Sequence, residues 1–140
     1  MNQEKYVFSQ VMDFIPDFQF NECIARHKGH YWIKQFTCKE QFLSMAFGQL
    51  AYRESLRDIV VCLRSHQDKL YHLGFRSSIS RSTIADANEK RDWRIYRDFA
   101  KILIHKARTL YCEDSQFTLD LDGTFYVIDA TTIELCLSVF

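Results

Sequence analysis

T-C-K-E-Q-F-L-S-M-A-F-G-Q-L-A-Y-R-E-S-L-R-D-I-V-V-C-L, running from Thr37 to Leu63, decides how this chain folds. Two helix starts are written into it. Thr37 and Glu40 form a T-x-x-E capping box, in which each side chain can satisfy a free backbone N–H at the first turn. Phe42, Leu43, Ala46, Phe47 and Leu50 then repeat at helical spacing. Ser55 and Asp58 repeat the start signal ahead of Leu56, Ile59, Val60 and Leu63. Two apolar helices joined at Tyr52 to Glu54 make a helical hairpin, the expected core of an all-helical module. Gly48, inside the first helix, costs about 1 kcal/mol against alanine, so close packing against a neighbour is expected there.

Upstream, Tyr6, Val7, Val11, Phe14 and Ile15 mark a short helix over residues 4–14, ended by the only proline, Pro16. A second helix is expected from Asp17 as cap to about His27, with Phe18, Phe20, Cys23 and Ile24 on one side and a stop at Gly29. Downstream, L-Y-H-L-G-F (Leu70 to Phe75) ends at Gly74, and a serine-rich turn leads to Ser80 as the cap of a short helix, Arg81 to about Asn88. Arg81, Ser82 and Thr83 stand at its first turn, the layout of a helix presented to a DNA groove. A solvated polar face is the more frequent reason for the same pattern. After a break at Asn88 to Arg91, Asp92 caps a long helix striped by Tyr96, Phe99, Leu103 and Leu110. Arg94, Arg97, Lys101, Lys106 and Arg108 give it a basic face, of the kind that positions phosphates without reading sequence.

The period then changes from helical to two. Phe117, Leu119 and Leu121 alternate with polar residues, and Asp122-Gly123 is a hairpin turn into the apolar run Phe125 to Ile128. The fold class expected is therefore α+β, mainly α: a helical module over residues 1–112, then the first strands of a sheet over 113–140. Two or three strands are not stable alone, so the chain reads as the front of something larger. The run Phe125 to Ile128 stops at a carboxylate, Asp129. A carboxylate there commonly caps the turn; rigidly held at a strand end, it also suits a divalent-metal site for phosphoryl transfer.

Composition narrows the remaining choices. A hydrophobic content of 47% with twelve Phe and seven Tyr excludes disorder for most of the 140 residues. Neither a membrane span nor a signal peptide is present in the pattern, and a cytoplasmic protein is expected. Five cysteines without a C-x-x-C pair read as free, mostly buried thiols. Cys62, His66 and His72 lack the second ligand pair of a structural zinc site. The net charge of zero hides a segregation: residues 53–108 hold thirteen basic and seven acidic side chains, residues 109–140 none and six. A basic middle next to an acidic end fits one segment meeting a polyanion and another holding cations, or the two lying against each other.

Four ordered motifs, F-G-Q-L-A-Y-R-E-S-L-R-D-I (Phe47 to Ile59), Y-H-L-G-F (Tyr71 to Phe75), S-R-S-T-I-A-D-A-N-E-K-R-D-W (Ser80 to Trp93) and I-D-A-T-T-I-E-L-C-L-S-V-F (Ile128 to Phe140), resemble the N-terminal part of bacterial insertion-sequence transposases of the insertion-sequence-four type. The resemblance implies a ribonuclease-H-like catalytic domain beginning in residues 113–140. It makes Asp129 the first carboxylate of a DDE triad, which with two later carboxylates would hold a pair of Mg2+ ions. The second Asp and the Glu of the triad have no counterpart here, so the chain by itself is expected neither to nick nor to join DNA. The resemblance also implies that the helical module binds double-stranded DNA at transposon ends, with Arg81, Ser82, Thr83, Arg91, Arg94 and Arg97 as contacts. The alternative is a non-enzymatic transposase remnant that acts as an interaction module, self-associating through an unfinished sheet edge at Leu135, Leu137, Val139 and Phe140.

Overall fold

A computed structural model describes residues 6–31, 33 and 35–112. They form six α-helices: α1 (Val7–Met12), α2 (Asp17–Arg26), α3 (Cys38–Leu50), α4 (Leu56–Ser65), α5 (Arg81–Lys90) and α6 (Arg94–Cys112), with two 3-10 turns, Gln67–Lys69 and Tyr71–Leu73, between α4 and α5. Among the described residues there is no strand. The helical part of the expected class is thus observed. The expected strands, the 113–140 domain and Asp129 lie outside the described residues.

The capping chemistry forms as the sequence expects. The Thr37 hydroxyl accepts the Glu40 N–H while the Glu40 carboxylate accepts the Thr37 N–H, closing the box at the start of α3. Ser55 and Ser80 cap α4 and α5 in the same way, through the N–H groups of Asp58 and Thr83. Each such cap satisfies a donor that the helix itself leaves free and contributes about 1 kcal/mol.

α3 is the axle of the molecule because its buried residues point two ways. Leu43 joins a core built with Ile59, Val60 and Leu63 of α4, Leu70, Leu73 and Phe75 of the connector, and Ile84 of α5. Cys38 joins a second core with Phe20, Cys23 and Ile24 of α2 and Ile95 and Phe99 of α6. Phe20, Phe42 and Phe99 stack in this second core, with ring centroids 4.5 to 5.6 Å apart. Between the cores runs a polar hub. The buried Gln41 side chain donates to Asn88 Oδ1 (2.6 Å) and accepts from the Tyr96 hydroxyl (2.7 Å) and the Arg91 guanidinium (2.8 Å), tying α3 to α5 and α6. Every buried side-chain N or O atom among the described residues has a partner, as burial of polar groups requires.

Several details differ from the sequence reading. α5 runs on through Lys90, so the expected break over Asn88 to Arg91 moves to the residues from Arg91 to Trp93. The left-handed residue after α2 is Lys28 (φ 53°), not Gly29. Gly29 is needed for space: a Cβ there would stand 2.6 Å from Ile95 Cδ1 and 2.9 Å from Ile24 Cγ2. Phe18 points to solvent, and Asp17 pairs with Lys39 at 2.7 Å in the first turn of α2 while Pro16 holds the cap position. On α6 the fully buried anchor is Ile95, whereas Leu110 is 71% exposed, because the helix runs on past the end of the core it packs against. Gly48 behaves as expected: a Cβ would lie 2.4 Å from Ile59 Cδ1, so its absence lets α3 and α4 close. Gly74 (φ 90°) takes the left-handed turn that only glycine adopts without strain. No helix of the described residues is long and apolar enough to cross a membrane. Cys23, Cys38 and Cys62 are free thiols; burial is the main cause that raises Cys23 and Cys38 above the usual thiol pKa.

Candidate nucleic-acid interface

The six candidate contact residues occupy the two ends of α5 and the start of α6, so they do not form one cluster. Arg81 opens α5 and Arg91 follows its last residue, about 15 Å apart at the helical rise of 1.5 Å per residue. At the first end, Arg81 and Ser82 are exposed and Thr83 is half-buried. The Ser80 hydroxyl sits at the centre of a local network, 2.9 Å from Ser82 Oγ and 2.8 Å from Thr83 Oγ1. This network holds the first turn rigid and leaves the Arg81 side chain as its outward-facing cation.

At the second end, Arg91 is a strut between helices and not a surface cation. Its guanidinium donates to the backbone carbonyls of Thr37 (2.8 Å) and Phe36 and to Gln41 Oε1, and lies over the Phe36 ring. Sequence pattern placed it on a basic face; the break between α5 and α6 instead turns it inward onto the start of α3. Arg94 grips Asp92 through two parallel contacts, Nε to Oδ1 at 3.0 Å and Nη2 to Oδ2 at 2.7 Å. The Asp92 carboxyl, which also accepts the Arg94 N–H, is held down at about 2 by these bonds. Arg97 pairs with Asp98 at 2.8 Å and lies over the Trp93 ring at 5.0 Å. Asp98 is likewise lowered to about 2, first by His27, whose Nε2 is 2.8 Å away across the α2–α6 contact, and then by Arg97.

The basic face of α6 is therefore partly neutralised at its start. Helical geometry at 3.6 residues per turn keeps Arg94, Arg97, Lys101 and Arg108 within an arc of about 60°, but carries Lys106 round to the side of Ile95 and Phe99.

Tertiary packing adds two cations that sequence did not single out. Arg57, at the start of α4, borders an open groove of about 790 Å³ together with Arg81, Ser82 and Ala85. Lys28 borders a second groove, of about 520 Å³, with Thr83, Asp86 and Lys90. Neither residue stands near α5 in the chain, and although Arg57 lies within the Phe47 to Ile59 motif, nothing local directs either cation to α5; only the packing of α4 and of the α2–α3 connection against α5 brings them there. Among the described residues, Lys28, Arg57 and Arg81 are in no ion pair. Among the same residues no group of three or more His, Cys, Asp or Glu side chains could hold a metal ion.

Among known families, the model described as "Domain of unknown function (DUF4372)" matches residues 3–76. No curated protein and no solved structure matches the chain.

Proposed function

Because the chain belongs to the DUF4372 family, an N-terminal domain of transposase-like proteins whose model covers more than half of its 140 residues, we propose that it is the N-terminal part of a DDE transposase acting in DNA transposition. In this reading the helical module binds double-stranded DNA at transposon ends in the bacterial cytoplasm. Residues 113–140 begin a ribonuclease-H-like catalytic domain, and Asp129 is one carboxylate of a Mg2+ site that the rest of a transposase completes. The assignment of Asp129 rests on the sequence resemblance.

The observation that carries the DNA-binding part is α5 itself. It is a short helix entered through a rigid serine cap, with Arg81 at its exposed first turn and flanked by cations on other elements. Arg94 and Arg97 contribute by exchanging Asp92 and Asp98 for phosphate oxygens. Neutralising several phosphates releases counterions, so affinity for duplex DNA falls steeply with salt. The test is a titration of duplex DNA by fluorescence anisotropy at several salt concentrations. A strong salt slope, flattened in the Arg81→Gln, Arg94→Gln, Arg97→Gln triple variant, is expected; binding that is independent of salt, or none at low ionic strength, overturns the reading. In the same reading the purified chain does not cleave DNA with Mg2+, and cleavage abolished by Asp129→Ala would refute that.

A second reading, an interaction module, is favoured by one observation. Val7, Val11, Phe14 and Phe18 are 76%, 42%, 83% and 75% exposed on α1, its C-terminal turn and the start of α2. Large apolar side chains exposed at successive positions of neighbouring helices are a feature of protein–protein contacts. Sedimentation velocity separates the two readings: a monomer that binds DNA supports the first, and an oligomer indifferent to DNA supports the second.

A further inference from the structure

Resting on the DNA-binding reading above, we propose that α5 lies in the major groove with its ridge Ser82, Ala85, Asp86 and Glu89 toward the base edges, while Arg57 on one flank and Lys28 on the other hold the two phosphate backbones. Four observations carry this.

The first is the exposure pattern of α5. Ile84 and Ala87 are buried, while residues 81, 82, 85, 86 and 89 are exposed. At 3.6 residues per turn the exposed set forms one continuous ridge opposite the buried pair. An α-helix with its side chains is about 10–12 Å across and the major groove about 12 Å wide, so the ridge fits it.

The second is that the two grooves lie on opposite flanks of that ridge. Arg57 shares its groove with Arg81, Ser82 and Ala85, on one side of the helical wheel. Lys28 shares its groove with Thr83, Ala87 and Lys90, on the other. Asp86 borders both, which places it on the crest between them.

The third is the state of the cations. Arg94 and Arg97 already hold carboxylates, whereas Lys28, Arg57 and Arg81 hold none among the described residues. A phosphate contact made by an engaged guanidinium must first break its existing pair. Lys28, Arg57 and Arg81 meet DNA without that cost; Lys90 of α5 holds Asp86 at 3.6 Å, and Lys101 and Arg108, in no ion pair among the described residues, stand farther along α6, so it is the free cations beside the exposed ridge that centre the duplex on α5. Lys28 is also held in a left-handed conformation that a lysine rarely adopts, and strained positions of this kind cluster at functional sites.

The fourth is the sign of the ridge. Asp86 and Glu89 are acidic, which disfavours contact with phosphates but suits base edges, where a carboxylate accepts from the cytosine N4 amino group; Asp86 pairs with Lys90 at 3.6 Å, so Glu89 is the carboxylate in no ion pair among the described residues. An acidic crest between basic flanks matches a duplex in cross-section: base edges in the groove floor, phosphates on either wall.

The experiment selects bound duplexes from a random-core DNA pool with the whole 140-residue chain, then measures salt slopes on the selected and on an unrelated duplex. Arg57→Gln and Lys28→Gln are each expected to lower the salt slope by about one, equally on both duplexes. Glu89→Ala, which releases no ion-paired cation, is expected to erase roughly tenfold or more of the preference for the selected duplex while leaving the slope unchanged. Circular dichroism melts confirm that these exposed variants stay folded, and Arg57→Lys, which keeps the charge, should restore the slope. If only Arg94→Gln and Arg97→Gln move the slope, or if the pool yields no preferred sequence, the placement of α5 is wrong although DNA binding stands. If no variant matters because duplex DNA is not bound, the functional reading itself has failed.

Discussion

Replacing Glu40 tests whether the helical module is held by one carboxylate that spans two elements. Glu40 is 3% exposed. Its oxygens accept from the Thr37 N–H and hydroxyl at 2.8 Å, from the Arg76 N–H at 3.2 Å and from the Arg76 guanidinium at 3.2 Å. It thus caps α3 and also anchors the segment after Gly74, across 36 residues of sequence. In Glu40→Ala the Thr37 and Arg76 N–H groups each lose an acceptor, at about 1 kcal/mol apiece for sites that water can partly reach. The space left by the side chain adds about 1 kcal/mol. The expected loss of about 3 kcal/mol is a large share of the 5–15 kcal/mol typical of a domain, and corresponds to a Tm drop of about 10 °C at roughly 3–4 °C per kcal/mol. Arg76→Ala should cost clearly less than Glu40→Ala, because its side chain is 64% exposed and water takes over much of the ion pair.

Burial by itself would raise the Glu40 carboxyl, but the donors from Arg76 and Thr37 outweigh it and hold it below its usual value of 4.5. A carboxyl lowered in the folded state stabilises fully above that value, and the contribution fades as pH falls through the folded pKa. Urea denaturation at pH 7 and at steps down to about pH 3 reads both effects, with Glu40→Gln expected to flatten the acid limb. Equal losses in Glu40→Ala and Arg76→Ala, or a Glu40→Ala loss under 1 kcal/mol, would refute the anchoring role.

Gly48→Ala should destabilise by about 1–2 kcal/mol, since the clash with Ile59 exceeds the roughly 1 kcal/mol of helix propensity gained. Gly48→Ala with Ile59→Val removes Cδ1, the nearer atom, but keeps Cγ1 at 2.9 Å, so it should recover part of the loss in thermal melts; no recovery would mean the crowding lies elsewhere. Tyr52 ends α3 in the left-handed region (φ 52°) with its ring 92% exposed, so Tyr52→Gly should stabilise by about 1 kcal/mol, and a loss in denaturant midpoint would contradict the strain. Asp98 is lowered to about 2 by His27 and Arg97, so the α2–α6 contact should weaken as pH falls from about 4 to 2. Asp98→Asn should remove that part of the acid transition, and hydrogen exchange in α2 and α6 would show whether it does.

Helix starts were legible because their signals are local: Thr37 with Glu40, Ser55 with Asp58 and Ser80 each act within one turn, and all three caps form. Gly48 and Gly74 were readable for the same reason, as a missing side chain inside a helical pattern and as a stop. Residues whose role is set by distant partners were not legible. Arg91 carries the same charge as Arg94 three residues on, yet one is half-buried against Phe36 and the other faces solvent with Asp92. Charge pattern alone cannot separate them, because the chain break between α5 and α6 decides which way each points. Ile95 and Leu110 both suit an apolar stripe, and only the length of the core beside α6 buries the first and exposes the second.

By itself, then, the sequence determined the helical segments, the caps at Thr37, Ser55 and Ser80 and the basic character of the middle of the chain, since hydrogen bonds within a turn and the sign of a side chain need no distant partner. Tertiary structure alone decided which cations are spent on carboxylates and which face outward, and it set Arg57 and Lys28 on either side of α5, because those placements follow from how α2, α4 and α6 pack and from nothing within a single turn.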